Sequence, residues 1–389
     1  MSVTAPKGFV AAGVSCGIKA DGATDLSLVA TEDGRPGAAA GVFTTNLATA
    51  PPVLVSRAHL AASGGRAAAV VLNSGNANAA TGTAGMADAE RTCHLVAEGI
   101  GCATVDVLVC STGLIGIPLP IEAVARGVPA LVAARAAGEA AGLAAATAIM
   151  TTDTRSKQVV RVAGDVTIGG MAKGAAMLAP NMATMLAVLT TDAALSPSEL
   201  QVHLALAVRD SFNALSVDGC TSTNDTVLLL SSGRAGAPDP VAFGAALTDA
   251  CQDLAAQMAG DAEGATKVIT VRVIGAADDA EARRAARKVA ESQLVKCSFY
   301  GRDPYWGRVM SELGSAGVTF DPARTSVAYG GVTVAAEGVA TGHDTEAVRV
   351  HMAGRHIELV ADLGLGGGEG VILTNDLTHA YIDENMGTS

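Results

Sequence analysis

Residues 173–192 read KGAAMLAPNMATMLAVLTTD, and they place a hydroxyl residue directly before an apolar run. Pro180 and the small residue Ala183 precede Thr184, and residues 185–189 follow it as a predicted buried strand. A hydroxyl in this position can attack the preceding carbonyl, here that of Ala183, and form an ester that water then hydrolyses. The stretch therefore predicts either self-cleavage between Ala183 and Thr184 or an ordinary threonine at the start of a buried strand.

Cleavage would give an α chain of residues 1–183 and a β chain of residues 184–389, which begins with a free Thr184. A free α-amine has a pKa of about 7.7 to 8.0, so it can act as a base near neutral pH. It can then activate the hydroxyl of its own residue, which is the N-terminal-threonine form of a nucleophile. No general motif rule covers this stretch, so spacing alone leaves both interpretations open.

The composition bounds the size and the partners of the protein. A chain of 389 residues allows two domains, or one large domain with an appendage. Since 49% of the residues are hydrophobic and only 3% aromatic, the core must consist of Ala, Val, Leu and Ile. The formal net charge of −12 argues against nucleic acid or an anionic membrane as a partner.

The cysteines and histidines give no sign of a disulfide framework or a metal site. The seven cysteines are odd in number and no Cys-x-x-Cys occurs, which favours reduced thiols in a cytosolic protein. The seven histidines show no metal-binding spacing. The chain begins without a signal-peptide pattern and has no run of 18 apolar residues, so we expect a cytoplasmic protein.

Strand and helix patterns are mixed along the whole chain, which predicts an α/β or α+β class. Predicted strands are residues 67–72, 105–110, 159–162, 226–230, 268–274, 326–335, 357–361 and 371–374. Predicted helices are residues 86–100, 121–149 with a break near Gly138 or Gly142, 196–212 with a capping box, 240–258 and 278–293. The glycine-rich run 364–370 lies between two strands and predicts a turn. We expect a main catalytic domain over 1–280 and a smaller C-terminal domain over 281–389.

The stretch 173–192 resembles the autocleavage segment of the ornithine acetyltransferase (ArgJ) family, the glutamate N-acetyltransferases of arginine biosynthesis. The family pattern is Lys-Gly-x-Gly-Met, then Pro-x-Met/Leu-Ala-Thr-Met-Leu, then Thr-Thr-Asp. The matching residues are Lys173, Gly174, Met177, Pro180, Met182, Ala183, Thr184, Met185, Leu186, Thr190, Thr191 and Asp192. Ala176 stands where the family has a second glycine, and the resemblance extends over nearly the full length.

The resemblance implies a fold and a reaction. The fold is layered α-β-β-α of the N-terminal-nucleophile type (the DOM fold), with a smaller C-terminal α/β domain. In the reaction, Thr184 takes acetyl from N2-acetylornithine and passes it to glutamate in a ping-pong mechanism, with its own amine as base and then acid. No metal or organic cofactor is required, some relatives also accept acetyl-CoA, and the assembly has two α and two β chains.

The resemblance also assigns an oxyanion hole. The string CSTGLIG at 110–116 follows a predicted strand, where backbone N–H groups can stabilise a developing oxyanion. Taken alone, the string favours a plain turn. In the family the Thr-Gly pair at this place forms the oxyanion hole, and the corresponding residues here are Thr112 and Gly113.

Substrate contacts follow from the same resemblance. A lone lysine such as Lys173 is usually solvated, but one held near an apolar site can bind a substrate carboxylate. Glu263 alone would be read as an exposed acid after a helix, yet it corresponds to the family's substrate-binding carboxylate. The family positions for substrate binding are here Thr151, Lys173, Thr184, Glu263, Asn385 and Ser389.

Three departures from the family pattern bear on specificity. They are Ala176, Tyr305 in place of a small amide, and a C-terminus that lacks the usual tyrosine. They fit a related acyltransferase of a secondary-metabolite pathway with altered amino-acid specificity. Two further alternatives are an aminopeptidase or amidase that uses an N-terminal nucleophile, and a non-catalytic protein that never cleaves.

Overall fold

The computed structural model describes residues 2–177 and 185–387, and these form two compact units. Unit 1 contains the described residues up to 213 together with 220–258, and unit 2 contains 214–219 with 259–387. The main boundary therefore lies at 258/259, earlier than the predicted 280/281. The difference arises because the predicted strand near residue 268 pairs with the C-terminal strands of unit 2.

Unit 1 is built on two sheets. Its strands are β1 (Phe9–Val14), β2 (Leu26–Thr31), β3 (Gly37–Phe43), β4 (Arg66–Ala67), β5 (Ala69–Asn73), β6 (Val107–Ser111), β7 (Lys157–Ala163), β8 (Val166–Lys173), β9 (Leu186–Ala193) and β10 (Thr226–Gly236). Its helices are α1 (Pro51–Ala62), α2 (Gly82–Ile100), α3 (Ile121–Ala133), α4 (Glu139–Ala148), α5 (Pro197–Arg209) and α6 (Pro240–Ala259). One sheet has the order β1-β2-β5-β6, and the other β4-β3-β10-β9-β8-β7.

Alternating side chains on the strands separate the layers of unit 1. In β1, Phe9 and Ala11 join the core between the two sheets, whereas Val10 and Ala12 join the core beneath α1, α2 and α3. On the outer face of the second sheet, α5 contacts β3, and a Cβ added at Gly170 of β8 would meet Leu254 of α6. This α-β-β-α layering confirms the predicted fold class.

Strand β9 lies inside the second sheet, and all eight of its residues are buried. It runs parallel to β10 and antiparallel to β8, so Leu186 pairs with Thr226 on one side and with Lys173 on the other. The hydroxyl of Thr190 donates to the Val3 carbonyl at 2.6 Å, and that of Thr191 to the Thr167 carbonyl at 2.9 Å. The strand pairing places the end of β8 and the starts of β9 and β10 at the same end of the sheet.

Several predicted helix boundaries are confirmed and others shift. The capping box at Ser196 and Glu199 begins α5, which ends at Arg209, before a short 3₁₀ turn over Phe212–Ala214. The predicted break in 121–149 falls at Gly138, whose φ of 95° suits glycine. The sequence did not predict β1 to β3 or α1 individually. Within the described part of the chain, no helix is long and apolar enough to cross a membrane.

Unit 2 has one mixed sheet. Its strands are β11 (Val268–Ala276), β12 (Ser326–Tyr329), β13 (Val332–Ala336), β14 (Val339–Ala340), β15 (His356–Asp362) and β16 (Gly368–Asn375), in the order β14-β13-β12-β15-β11-β16. Its helices are α7 (Asp279–Glu291), α8 (Gln293–Tyr300), α9 (Trp306–Gly314), α10 (Thr345–Ala353) and α11 (His379–Glu384). The predicted single strand 326–335 is wrong, because Gly330 and Gly331 have positive φ and turn the chain back.

The turn predicted in the glycine-rich run 364–370 is confirmed for 364–367, which connect β15 to β16, whereas 368–370 already belong to β16. Gly364 has a φ of 63°, which accommodates the turn. Gly370 has a different role: a Cβ there would lie 2.4 Å from the backbone nitrogen of Arg283 in α7. The buried face of α7 consists mostly of alanines, so small residues on both sides let the helix approach the sheet closely.

Replacing Gly370 by alanine should therefore force α7 away from β16. We expect Gly370→Ala to lower the free energy of unfolding by about 1–3 kcal/mol, the usual range for overpacking. Urea denaturation measures the change. The matched control is Gly367→Ala, since a Cβ at that position meets no atom within 4 Å. Equal stability of the two variants would contradict the close approach.

Candidate active site

The predicted oxyanion-hole residues lie in a tight turn after β6. The backbone N–H of Thr112 donates to the Asn73 carbonyl at 3.0 Å, and the Thr112 side chain is buried. Gly113 has a φ of 129°, and a Cβ there would lie 2.3 Å from the carbonyl carbon of Gly75. Only glycine fits this position, so the turn requires Gly113 for a structural reason as well.

Buried amides hold this turn in place. The Ser111 hydroxyl donates to Oδ1 of Asn73 at 2.6 Å, and Nδ2 of Asn73 donates to the Asn76 carbonyl at 2.8 Å. Nδ2 of Asn224 donates to the Ser111 carbonyl at 3.0 Å and to the Ala77 carbonyl at 2.6 Å. These contacts join the ends of β5 and β6 to the segment before β10.

Lys173 is the last residue of β8, and it is only 3% exposed. Its Nζ donates to Oγ1 of Thr112 at 3.2 Å. The structure thus brings together two predicted site residues that are 61 positions apart. A buried ammonium group is costly unless nearby groups compensate its charge, so its surroundings decide whether it can stay charged.

The compensating group is Asp153, which the sequence analysis did not select. Its Oδ1 accepts from Nζ of Lys157 at 2.5 Å and from the backbone N–H of Gly174 at 2.8 Å. Its Oδ2 accepts from the backbone N–H of Thr151 at 3.1 Å. Asp153 therefore connects the predicted substrate-binding Thr151 to the strand end that carries Lys173.

The charges of the neighbouring lysines favour the ionised form of Asp153. Burial would raise the pKa of Asp153, but the positive charges of Lys173 and Lys157 outweigh it and lower this pKa from 3.8 to about 2. Lys157 is fully buried. The only sequence signal for this pair is an acid and a lysine four residues apart after α4, a spacing too common to select them.

Asp225, the residue before β10, contacts Met185, the residue before β9. It is fully buried, and its Oδ1 accepts from the backbone N–H of Met185 at 2.8 Å. Burial raises the pKa of Asp225 well above its ordinary value, against the hydrogen bond from Met185 and the charge of Lys173, which lower it. Ala183 and Thr184, the predicted cleavage site and nucleophile, lie outside the described residues.

Two other predicted substrate contacts lie in unit 2. Oε2 of Glu263 accepts from Nδ2 of Asn385 at 2.8 Å. Glu263 also lines a cavity of about 150 Å³ with Asp218, Asp376 and Tyr381. The structure thus joins Glu263 to Asn385 within this unit, whereas Ser389 lies outside the described residues.

The remaining features add no further site residue. Tyr305, one of the departures from the family pattern, is 54% exposed, and the Arg308 guanidinium lies 5.9 Å from its ring centre. Ala176 is half-buried. In the described ranges no group of His, Cys, Asp and Glu has the arrangement of a metal site.

A larger cavity in unit 1, of about 440 Å³, lies at the other end of β10. Its lining includes Ser231, Arg35, Arg66 and Arg234, and none of the predicted site residues. We therefore place the candidate site at the Thr112–Lys173 cluster, where buried charge and the predicted residues coincide, and not in the larger cavity.

Comparisons with known proteins agree with this fold. The ArgJ family model matches residues 10–387. Proteins named arginine biosynthesis bifunctional protein ArgJ from Mycobacterium leprae and Streptomyces coelicolor are each 48% identical over the whole chain, covering 95% and 100% of their own lengths. A solved ornithine acetyltransferase from Mycobacterium tuberculosis, complexed with ornithine, is 46% identical over 46% of this chain and 94% of its own, with a TM-score of 0.42.

Together, the layered fold and these matches define the protein as an enzyme of the acyltransferase class. The chain belongs to the ArgJ family, and the family predicted from residues 173–192 is confirmed. The predicted acyl transfer in arginine biosynthesis is confirmed at the level of the family. The alternatives of an N-terminal-nucleophile hydrolase and of a shifted pathway are not favoured by these relatives.

The ionised Asp153 predicts a pH-dependent stability. Its pKa is lower in the folded chain than in the unfolded chain, so its contribution is present above about pH 4 and is lost as the pH falls towards 2. We expect the stability difference between wild type and Asp153→Asn to shrink by about 2 kcal/mol over this range, about half of it by pH 3. Urea denaturation at a series of pH values measures it. A difference that stays constant from pH 6 to pH 3 would argue against an ionised, lysine-paired Asp153.

Proposed function

We propose that this protein transfers an acetyl group from N2-acetylornithine to glutamate through an acetyl-Thr184 intermediate. The single observation that supports this most directly is the hydrogen bond from Lys173 Nζ to Thr112 Oγ1 at 3.2 Å. Lys173 pairs with Leu186 in the sheet, two residues after Thr184 in the chain. The described start of β9 therefore lies beside the strand end that carries Lys173.

The contacts of Thr112 indicate which of its groups stabilises an oxyanion. Its backbone N–H is already bonded to the Asn73 carbonyl, so it is not the donor. Because Lys173 donates to Oγ1, the hydroxyl proton of Thr112 is left to donate to another acceptor. We propose that this hydroxyl and the Gly113 N–H bind the oxyanion, in a buried site where such donors act strongly.

The chain first cleaves between Ala183 and Thr184, which frees the amine of Thr184. This amine takes the hydroxyl proton as the Thr184 oxygen attacks the acetyl carbonyl of N2-acetylornithine. The tetrahedral intermediate collapses to the acetyl ester, and the ammonium of Thr184 gives its proton to the leaving amine of ornithine. Glutamate then attacks the ester through its own amine, and the same groups return the enzyme to its starting state.

Substrate contacts follow the family positions. Lys173 and Thr151 bind the substrate carboxylate, and Glu263 with Asn385 and Ser389 contacts the amino-acid chain. The Mycobacterium tuberculosis relative was solved with ornithine, which supports this substrate class. From the family resemblance we also propose acetyl-CoA as a second acetyl donor. We further propose an assembly of two α and two β chains, located in the cytoplasm.

Self-cleavage is tested by the intact mass of the purified protein. We expect two polypeptides that divide at Ala183–Thr184, because the Thr184 hydroxyl is the attacking group. Thr184→Ala should remain a single chain of 38.6 kDa and form no acetyl-enzyme. Thr184→Ser is the matched control, since it keeps a hydroxyl and should still cleave. A wild-type chain that stays whole, or an acetylated Thr184→Ala, rules out this mechanism.

The hydroxyl of Thr112 is tested by steady-state kinetics with N2-acetylornithine and glutamate. Thr112→Val removes the proposed donor and should lower kcat by about 10²–10³-fold, the usual loss for one oxyanion donor. Thr112→Ser keeps the hydroxyl and should stay close to wild type. Similar rates for the two variants would exclude this role. Release of acetate without glutamate would instead indicate a hydrolase.

A further inference from the structure

The cavity of about 440 Å³ in unit 1 differs in chemistry from the candidate active site. Three of the residues that line it are arginines, Arg35, Arg66 and Arg234, and one is an acid, Asp33. This local concentration of positive charge contrasts with the formal net charge of −12 for the whole chain. The volume lies in the usual range of small-molecule sites, about 300–1,000 Å³. We call this site the arginine cavity.

The backbone around Arg234 is shaped to hold this side chain at the arginine cavity. Nη1 of Arg234 donates to Oε2 of Glu32 at 2.6 Å. Gly8 has a φ of 90°, and a Cβ there would lie 2.7 Å from Nε of Arg234, so the glycine leaves room for the guanidinium group. The pairing of β10 with β9 is also interrupted between residues 231 and 236. Such bulges often occur beside functional sites, where they redirect a side chain.

The other two arginines of the cavity are not paired with an acid. Within residues 2–177 and 185–387, neither Arg35 nor Arg66 forms an ion pair. Nη2 of Arg66 donates to the Pro36 carbonyl, which holds the side chain but leaves its charge uncompensated. Asp33 accepts the backbone N–H of Arg35 at 3.1 Å, and its Oδ2 lies 4.0 Å from Nη2 of Arg234. The guanidinium groups of Arg35 and Arg66 can therefore bind an anion.

The side chains around the arginine cavity indicate the chemistry of the ligand. A guanidinium group binds phosphate or carboxylate through two parallel hydrogen bonds, which a single lysine cannot provide. Among the described residues that line the cavity, none is aromatic, so a nucleobase would find no ring on which to stack. The cavity therefore suits a compact molecule whose charge lies in two or more anionic groups.

We propose that the arginine cavity binds a small multivalent anion that carries phosphate or carboxylate groups. Arg35 and Arg66 contact the anion directly, and Arg234, held by Glu32, adds a third positive charge beside it. The cavity borders residues 231–234 of β10, whereas Asp225 of the candidate active site precedes the other end of the same strand. The anion site is thus separate from the site of acetyl transfer, and its ligand does not depend on that reaction.

Isothermal titration calorimetry of the purified protein with pyrophosphate and with citrate, at constant ionic strength, tests the proposal. We expect wild type to bind at least one of these anions at a single site, and to bind the monovalent acetate far more weakly. Arg35→Gln and Arg66→Gln should each weaken binding by about tenfold or more, the loss expected for a hydrogen bond between charged groups. The matched control is Arg126→Gln, which removes an exposed arginine of α3 and should keep the wild-type affinity.

The control separates a specific site from general attraction to positive charge. Equal weakening in Arg35→Gln, Arg66→Gln and Arg126→Gln overturns the proposal, and so does wild type that binds neither anion. Binding that survives both cavity variants but is lost in Lys173→Ala places the anion at the candidate active site and also overturns it. Binding of pyrophosphate alone supports a ligand with phosphate groups, and binding of citrate alone supports a polycarboxylate.

Discussion

The buried ion pair of Asp153 with Lys157, which lies in the field of Lys173, is the interaction on which the candidate site depends. One carboxylate accepts from Lys157, from the backbone of Gly174 and from the backbone of Thr151, and it lies in the field of Lys173. Two segments that are separate in sequence, 151–157 and 173–174, thereby meet at one acid. Breaking such a buried pair leaves an uncompensated charge, so its geometry is strongly determined.

The sheet provides the second constraint. Because β9 is antiparallel to β8 and parallel to β10, the end of β8 and the starts of β9 and β10 lie at the same end of the sheet. This end of the sheet carries Lys173, Met185 and Asp225, and the turn after β6 adds Thr112 and Gly113. The interior of the strands is apolar and serves the core. The candidate site residues lie at the strand ends, where backbone groups do not all take part in hydrogen bonds between strands.

Sequence reasoning found those site residues that belong to recognisable strings, and it missed those that act through charge. Thr112 and Lys173 were selected from CSTGLIG and from the stretch 173–192, and the structure places them in contact. Asp153 and Lys157 were not selected, because burial and pairing with distant residues give them their properties. The boundary between the two units at 258/259 was not predicted for a similar reason, since β11 pairs with β15, which lies about 90 residues later.

The sequence by itself determined the family, the layered α/β class, most helices and strands, and the threonine proposed as nucleophile. These features depend on local strings and on the period of apolar residues, which one chain displays directly. Only the tertiary structure decided that the Thr112 backbone N–H is already bonded and that the Asp153 carboxylate lies buried beside Lys157, in the field of Lys173. Hydrogen-bond satisfaction and charge balance are properties of residues that meet in space, and sequence distance does not encode them.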